Sequence, residues 1–298
     1  MDQATFHVGG HLMQAAVQFA DPSLLDEAIH SKCDIIRFGS EYCMYAIPNS
    51  ESLKKAYESA ISSGKSFVYV TPRLAEAPLE KVRQQLIFLN RLGEATVVSN
   101  DLGALRLFKN LPHLHIQLGR QLVYTPSRTP WKEVTEKSAN FLTKRNVRHI
   151  FYQTALNYGP TIDFFKRLGA VGVDVDWIPE YFDSLGFLTK NALDIAIHLD
   201  AIPAAITRRC HMGRFLGETN LEKCSKPCYS KAYAMDNQFL KIPLFLHGNA
   251  VFRLVKPSKN EISQLAKRGV SSFVITMSPL TGISSSTQID NLVHTLEA

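Results

Sequence analysis

The chain has 298 residues, 45% of them hydrophobic and 20% charged. That is enough apolar chain to bury a core without staples, and it excludes a disordered, collagen-like or coiled-coil protein. Thirty-three basic against 27 acidic side chains leave +6, a surplus spread along the sequence that would suit an acidic ligand but does not by itself indicate nucleic acid.

In chain order, short apolar runs predict strands at 6–8, 34–38, 66–70, 95–98, 114–117, 171–174, 193–197 and 272–276, with 147–152 as a further candidate. Helical periodicity lies between them. Residues 50–63 place Leu53, Ala56, Tyr57, Ala60 and Ile61 near one face, and residues 79–92 do the same with Val82, Leu86, Leu89 and Leu92. Residues 161–168 and 261–268 are two more such patterns. Gly64, Gly93, Gly169 and Gly269 each follow a helical run, as C-terminal capping glycines do. The βα period repeats about eight times, which predicts a TIM-like (β/α) barrel, a single domain over 1–298. An open doubly wound sheet has nearly the same pattern, but no Gly-x-Gly-x-x-Gly follows the first strand. Two regions break the rhythm. Residues 119–146 read as a long loop with one helix at 132–142. Residues 203–245, low in strand propensity, read as an irregular insertion organised by something other than a hydrophobic core.

Residues 1–10 are polar and show no secretory signal, and no run approaches eighteen apolar residues. With five cysteines, an odd number, a secreted disulfide framework is not expected, and a reducing cytoplasm is the default reading. Three of the five fall in the insertion as Cys210, Cys224 and Cys228, spaced C-x13-C-x3-C. Cys43 follows the second predicted strand, where barrel loops build sites, and is the natural fourth ligand. Cys33 begins that strand and belongs at the opposite end. Four thiolates suit a structural zinc or an iron–sulfur cluster, and incidental thiols remain a third reading. Arg208, Arg209, Lys223 and Lys226 flank them, and positive charge beside a thiol lowers its pKa.

Other residues carry weaker signals. His198 and Asp200 lie at the end of a predicted strand, where barrel catalytic groups occur. Asp174 and Asp176 alternate onto one side of another strand and could share a proton or a cation. Glu41 precedes Cys43 by two. Asn100 and Asp101 suit helix capping. His113 and His115 share a strand face without a third ligand in the sequence nearby. His211 adjoins a cysteine and could tune a bound group. No Gly-x-Ser-x-Gly, His-Glu-x-x-His or P-loop pattern occurs.

Five segments together carry a family resemblance. They are Asp-Ile-Ile-Arg-Phe-Gly-Ser-Glu-Tyr-Cys (34–43), Val-Ser-Asn-Asp-Leu-Gly (98–103), Ala-Leu-Asn-Tyr (155–158), Ile-Pro-Ala-Ala-Ile-Thr-Arg-Arg-Cys (202–210, followed by Cys224 and Cys228) and Val-Ile-Thr-Met-Ser-Pro (274–279). The chain resembles the collagenase-like peptidase family in its short, barrel-only form. The resemblance implies a 4Fe–4S cluster held by Cys43, Cys210, Cys224 and Cys228. It also implies a heterodimer with a UbiU-like paralogue, a quinone precursor as substrate, a lipid-carrier protein in the same pathway, and oxygen-independent hydroxylation in ubiquinone biosynthesis. Asn157 lies in one of the shared segments and is a candidate ligand contact. Residues 210–214 read Cys-His-Met-Gly-Arg in place of the glycine-rich cysteine signature of the peptidase-named branch. An RNA-modifying hydroxylase component, a protease of this family and a non-catalytic cluster-carrying scaffold are the other functional expectations.

Overall fold

The computed structural model describes residues 6–8, 11–128, 140, 151, 153–178, 182–218, 220–236 and 242–297. A short strand β1 (Phe6–Val8) turns back antiparallel onto β2 (His11–Phe19). Then come β3 (Ile35–Gly39), β4 (Ser66–Thr71), β5 (Ala95–Ser99), β6 (Leu114–Leu118), β7 (Ala170–Asp176) and β8 (Asp194–His198). The insertion supplies β9 (Ala201–Ile206), β10 (Tyr233–Met235), β11 (Leu244–His247) and β12 (Ala250–Leu254), and β13 (Ser272–Thr276) returns to the main sheet.

Strands β2 to β8 and β13 pair in parallel, and β13 pairs with both β8 and β2 while β2 pairs with β3. The ring of eight is therefore closed, as a barrel and not an open sheet. Helices Ser50–Ser62, Glu76–Leu92, Gly159–Arg167 and Lys259–Lys267 cover the outside at the positions the periodicity predicts. Leu53, Ala56, Tyr57 and Ala60 are buried under the first of these, but Ile61 is 47% exposed and leaves the predicted face.

Two predictions are corrected. The strand expected at 6–8 exists but stands outside the ring; the barrel starts with β2, which sequence reading passed over. Its Gln14, Ala15, Ala16 and Gln18 lower its strand signal, yet it is held on both sides by parallel neighbours, and its Ala15, Ala16, Val17 and Phe19 are buried. The insertion is also more regular than expected. Strands β10-β11-β12-β9 form an antiparallel sheet. Ala201, Ala250, Phe252 and Leu280 make a small core beneath it, with Tyr42, Ile206 and Phe245 packed against them. The expected helix at 132–142 and the candidate strand at 147–152 fall almost wholly outside the described residues.

Alternation along the strands builds two kinds of interior. Residues facing the helices join one large apolar cluster that includes Val17, Ile36, Phe38, Val173, Val175 and Ile197. The alternate positions face the barrel axis. Low in the barrel these are small and apolar: Ala16, Ala196 and Val274 in one group, Val68, Val70 and Val98 in another. Above them the axis turns polar, with Gln18, Arg37, Gln117, Asp174, Asp176 and His198 all buried. At the end of β3 the chain must leave the sheet closely. Gly39 has φ +133, and a Cβ there would stand 2.2 Å from the Val70 carbonyl oxygen. That turn delivers Glu41, Tyr42 and Cys43 to the barrel mouth.

Candidate active site

Four of the five residues predicted as catalytic meet in one buried network. Arg120 is its centre. Its Nε and Nη2 donate to both carboxylate oxygens of Glu41 at 2.7 and 2.6 Å, and its Nη1 donates to Asp176 at 2.9 Å and to the Ala201 carbonyl at 2.8 Å. Arg128 closes the other side of Asp176 and donates to the carbonyls of Arg120 and Val123. A second knot lies deeper. Arg37 is paired with Asp174 and donates to Gln18 at 3.0 Å. Gln117 donates to Asp174 at 2.5 Å, and His198 Nε2 stands 3.3 Å from it. Gln18 joins the two knots by donating to Glu41 at 3.1 Å.

The electrostatics follow from this pairing. Burial pushes the Glu41 carboxyl up, but the Arg120 charge and hydrogen bonds, with His198 and Gln18, outweigh it and hold the group at about 2. Asp174 is lowered too, burial being overcome chiefly by Arg37 and His198. Asp200 is the exception: burial raises it, although Thr276 donates to its carboxylate from both N–H and hydroxyl. His198 Nδ1 and the Tyr42 hydroxyl are buried without a partner among the described residues. Asn157 is not part of this group. Its Oδ1 accepts from the Thr154 N–H and hydroxyl at 3.0 and 2.6 Å, which closes a local turn.

Above the network, Cys43, Cys210, Cys224 and Cys228 line a single cavity with Met212, Leu221, Lys226 and Gly248. Each comes from its own piece of backbone. Cys43 is fixed by the Ser40 hydroxyl, which accepts from its N–H and donates to its carbonyl. Cys210 caps the helix His211–Phe215 and accepts the Gly213 N–H at 3.2 Å on sulfur, and Cys224 accepts the Lys226 N–H at 3.3 Å. The turn between β11 and β12 ties these pieces together. His247 Nε2 donates to the Cys228 carbonyl at 2.7 Å, and Asn249 Nδ2 donates to the carbonyls of Tyr42 and Thr207 at 2.9 and 2.7 Å. Among the described residues no three Cys, His, Asp or Glu side chains converge as the ligands of one metal ion do.

Basic neighbours were expected to lower these thiols, and that expectation is corrected. Burial raises Cys43, Cys210 and Cys228, the last to about 12, and the neighbouring thiolates raise each of them further. Arg208, Arg209 and Lys223 are exposed, so water screens their charge. The sulfurs therefore lie within electrostatic reach of one another, and they are accommodated either as neutral thiols or as thiolates round a cationic group. This donor set fits an iron–sulfur cluster. Cys33 lies elsewhere, buried beside Ser31 and Lys65 at the foot of the barrel.

Cys43 and Cys228 also border a second cavity of about 110 Å³, comparable with the ~150 Å³ that holds a benzene-sized ligand. Phe19, Leu24, Tyr229, Phe252, Met277 and Leu280 make its walls apolar, and Glu41 and Arg120 lie at its floor. The remaining predicted groups are placed as follows. Asn100 bridges the Thr71 carbonyl and the Gln121 N–H, and Asp101 caps the turn at Ala104. His113 and His115 share Glu94 on an exposed surface, and His211 is exposed. Sequence reading missed Gln18, Arg37, Gln117, Arg120, Arg128, His247 and Asn249. Only Arg37 carried a signal, a charge inside the apolar run Ile35–Gly39.

No family model and no curated relative matches the chain. Several solved structures are similar to it at low identity. The U32 peptidase Mk0906 is 12% identical, with 90% of this chain and 94% of that one covered and a TM-score of 0.48. Thiamine phosphate pyrophosphorylase from Pyrococcus furiosus is 9% identical over 96% of each chain, at 0.45. Tryptophan synthase from M. tuberculosis is 10% identical over 96% of this chain and 91% of that one, at 0.47.

Proposed function

We propose that this chain is the cluster-carrying subunit of an oxygen-independent hydroxylase of ubiquinone biosynthesis, most like the protein UbiV and paired with a UbiU-like paralogue. The observation that carries the reading is the gathering of Cys43, Cys210, Cys224 and Cys228 round one cavity at the barrel mouth. Those four residues would hold a 4Fe–4S cluster. A bound cluster of this kind supplies electron transfer, because four cysteine ligands leave its irons no open position. The chain's own residues do the rest. The Gly213 and Lys226 N–H groups donate to the sulfurs of Cys210 and Cys224 and orient them. The apolar cavity next to Cys43 and Cys228 suits the ring of a quinone precursor, delivered by a lipid-carrier protein.

A non-catalytic scaffold is the second reading, and one observation favours it. Among the described residues, Glu41 on the cavity floor and Asp174 and Asp176 in the network beneath are all tied to arginines, and Asp21, the other carboxylate lining the cavity, accepts the Ser23 N–H. In that case the partner subunit holds the reacting groups.

Anaerobic purification followed by iron, sulfide and zinc analysis tests the cofactor. Iron and acid-labile sulfide near four per chain are expected. Serine in place of Cys43, Cys210, Cys224 or Cys228 should strip most of the iron, whereas Cys33→Ser should retain it. A colourless, zinc-filled protein without sulfide, even after reconstitution, refutes the proposal. Activity lost only on substituting partner residues would select the scaffold.

A further inference from the structure

The arginines at the barrel mouth fall into two groups. Arg37, Arg120 and Arg128 are buried and each is bound to a carboxylate. Arg73, just beyond β4, and Arg208, just beyond β9, are exposed, and neither has a hydrogen-bond or ion-pair partner among the described residues. The fold brings these two, 135 positions apart in the sequence, to the wall of one cavity of about 70 Å³. Tyr42, Tyr45, Gln121, Cys43 and Cys210 line it with them, and among the described residues no acidic side chain does.

We propose that this cavity binds a small oxyanion, a carboxylate or a phosphate group, held between the guanidinium groups of Arg73 and Arg208 beside Cys43 and Cys210. Two unanswered guanidinium groups on one concave wall create a local positive potential, and their planar forks match the paired oxygens of such anions. The volume has room for several water-sized groups, at about 10–15 Å³ each, but not for a large molecule. The wall also includes Tyr42, whose buried hydroxyl has no partner among the described residues. An anion bound here would lie against two of the four gathered thiols. The inference rests on the two arginines and the cavity, not on the identity of the group the thiols hold. The competing explanation is that the arginines merely balance an anionic cluster.

Calorimetric titration of the full chain with inorganic phosphate and, separately, with malonate distinguishes these explanations and the two anion sources. Both the anaerobically purified protein and its Cys224→Ser variant are titrated, with iron measured on each sample. Saturable one-to-one binding of at least one anion to both proteins is expected. Arg73→Ala and Arg208→Ala should each weaken it tenfold or more, while Arg91→Ala, a change on the outer helix Glu76–Leu92, should leave it unchanged. No saturable binding of either anion at millimolar concentration overturns the proposal. Binding indifferent to both mouth arginines overturns it too, as does binding confined to the Cys224→Ser protein, because the arginines then serve the cluster. An iron-free parent protein that still binds the anion keeps this site and removes the cluster reading.

Discussion

The floor of the barrel mouth and the cysteine cavity above it are built on opposite rules. On the floor each of Arg37, Arg120 and Arg128 meets a carboxylate inside the protein, and Glu41 is held at about 2 as a result. Round the cavity four cysteines meet instead, and burial with the neighbouring sulfurs raises Cys43, Cys210 and Cys228. The floor's charges are paired within the protein; the cysteine cavity holds no such internal pairing. Charges taken out of water are tolerated where partners converge from several strands, and ligand-binding capacity survives where they do not.

The largest effect should come from breaking the floor. Arg120→Met leaves Glu41 and one side of Asp176 buried without their partner, and should cost about 3–5 kcal/mol in denaturant-induced unfolding. A loss below about 1 kcal/mol would mean that the network relaxes to water and is no scaffold. Next comes its pH dependence. Glu41 is lowered in the folded state, so its contribution is complete above its unfolded value near ~4.3 and is lost as the pH falls through about 2. Unfolding free energy measured from pH 6 down to the acid limit should fall less steeply in Glu41→Gln than in the parent. Asn249→Ala should have a smaller effect, about 1–3 kcal/mol, because the carbonyls of Tyr42 and Thr207 each lose a donor. It should also lower iron content, by loosening the Cys43 segment, and unchanged iron would show that the hairpin turn does not position that ligand. The smallest effect belongs to the exposed pair of histidines. Glu94→Gln should leave the denaturation midpoint nearly unchanged, as the loss of a solvent-exposed ion pair does.

The eightfold βα period and the four separated cysteines could be read before any coordinates, because each is a local or compositional signal. Strand β2 could not: Ala15 and Ala16 say little about strand propensity, and only the parallel neighbours β3 and β13 give the segment its place. Asp174, Asp176 and Glu41 could be picked as carboxylates near strand ends. Their neutralisation could not, since Arg120 and Arg128, which meet Glu41 and Asp176, come from an irregular loop 48 to 79 positions away, and Arg37, which meets Asp174, lies 137 positions away on β3. Asn157 drew attention through a shared sequence segment, and its Oδ1 is engaged by Thr154, away from the buried network. His247 and Asn249 had no signal at all, because their role depends on a hairpin turn meeting two remote backbone carbonyls.

The turn between β11 and β12 has a consequence for the order of events during synthesis. Cys43, Cys210, Cys224 and Cys228 are all synthesised before His247 and Asn249 exist to fasten their backbones. Strand β12 must then reach back to β9 to complete the insertion sheet, and β13 must reach back to β2 to close the ring. At about 5–20 residues per second, the nascent chain therefore spends several seconds with three or four unassembled thiols. The gathering of the four thiols round one cavity belongs to the finished barrel, and their oxidation is the hazard of that interval.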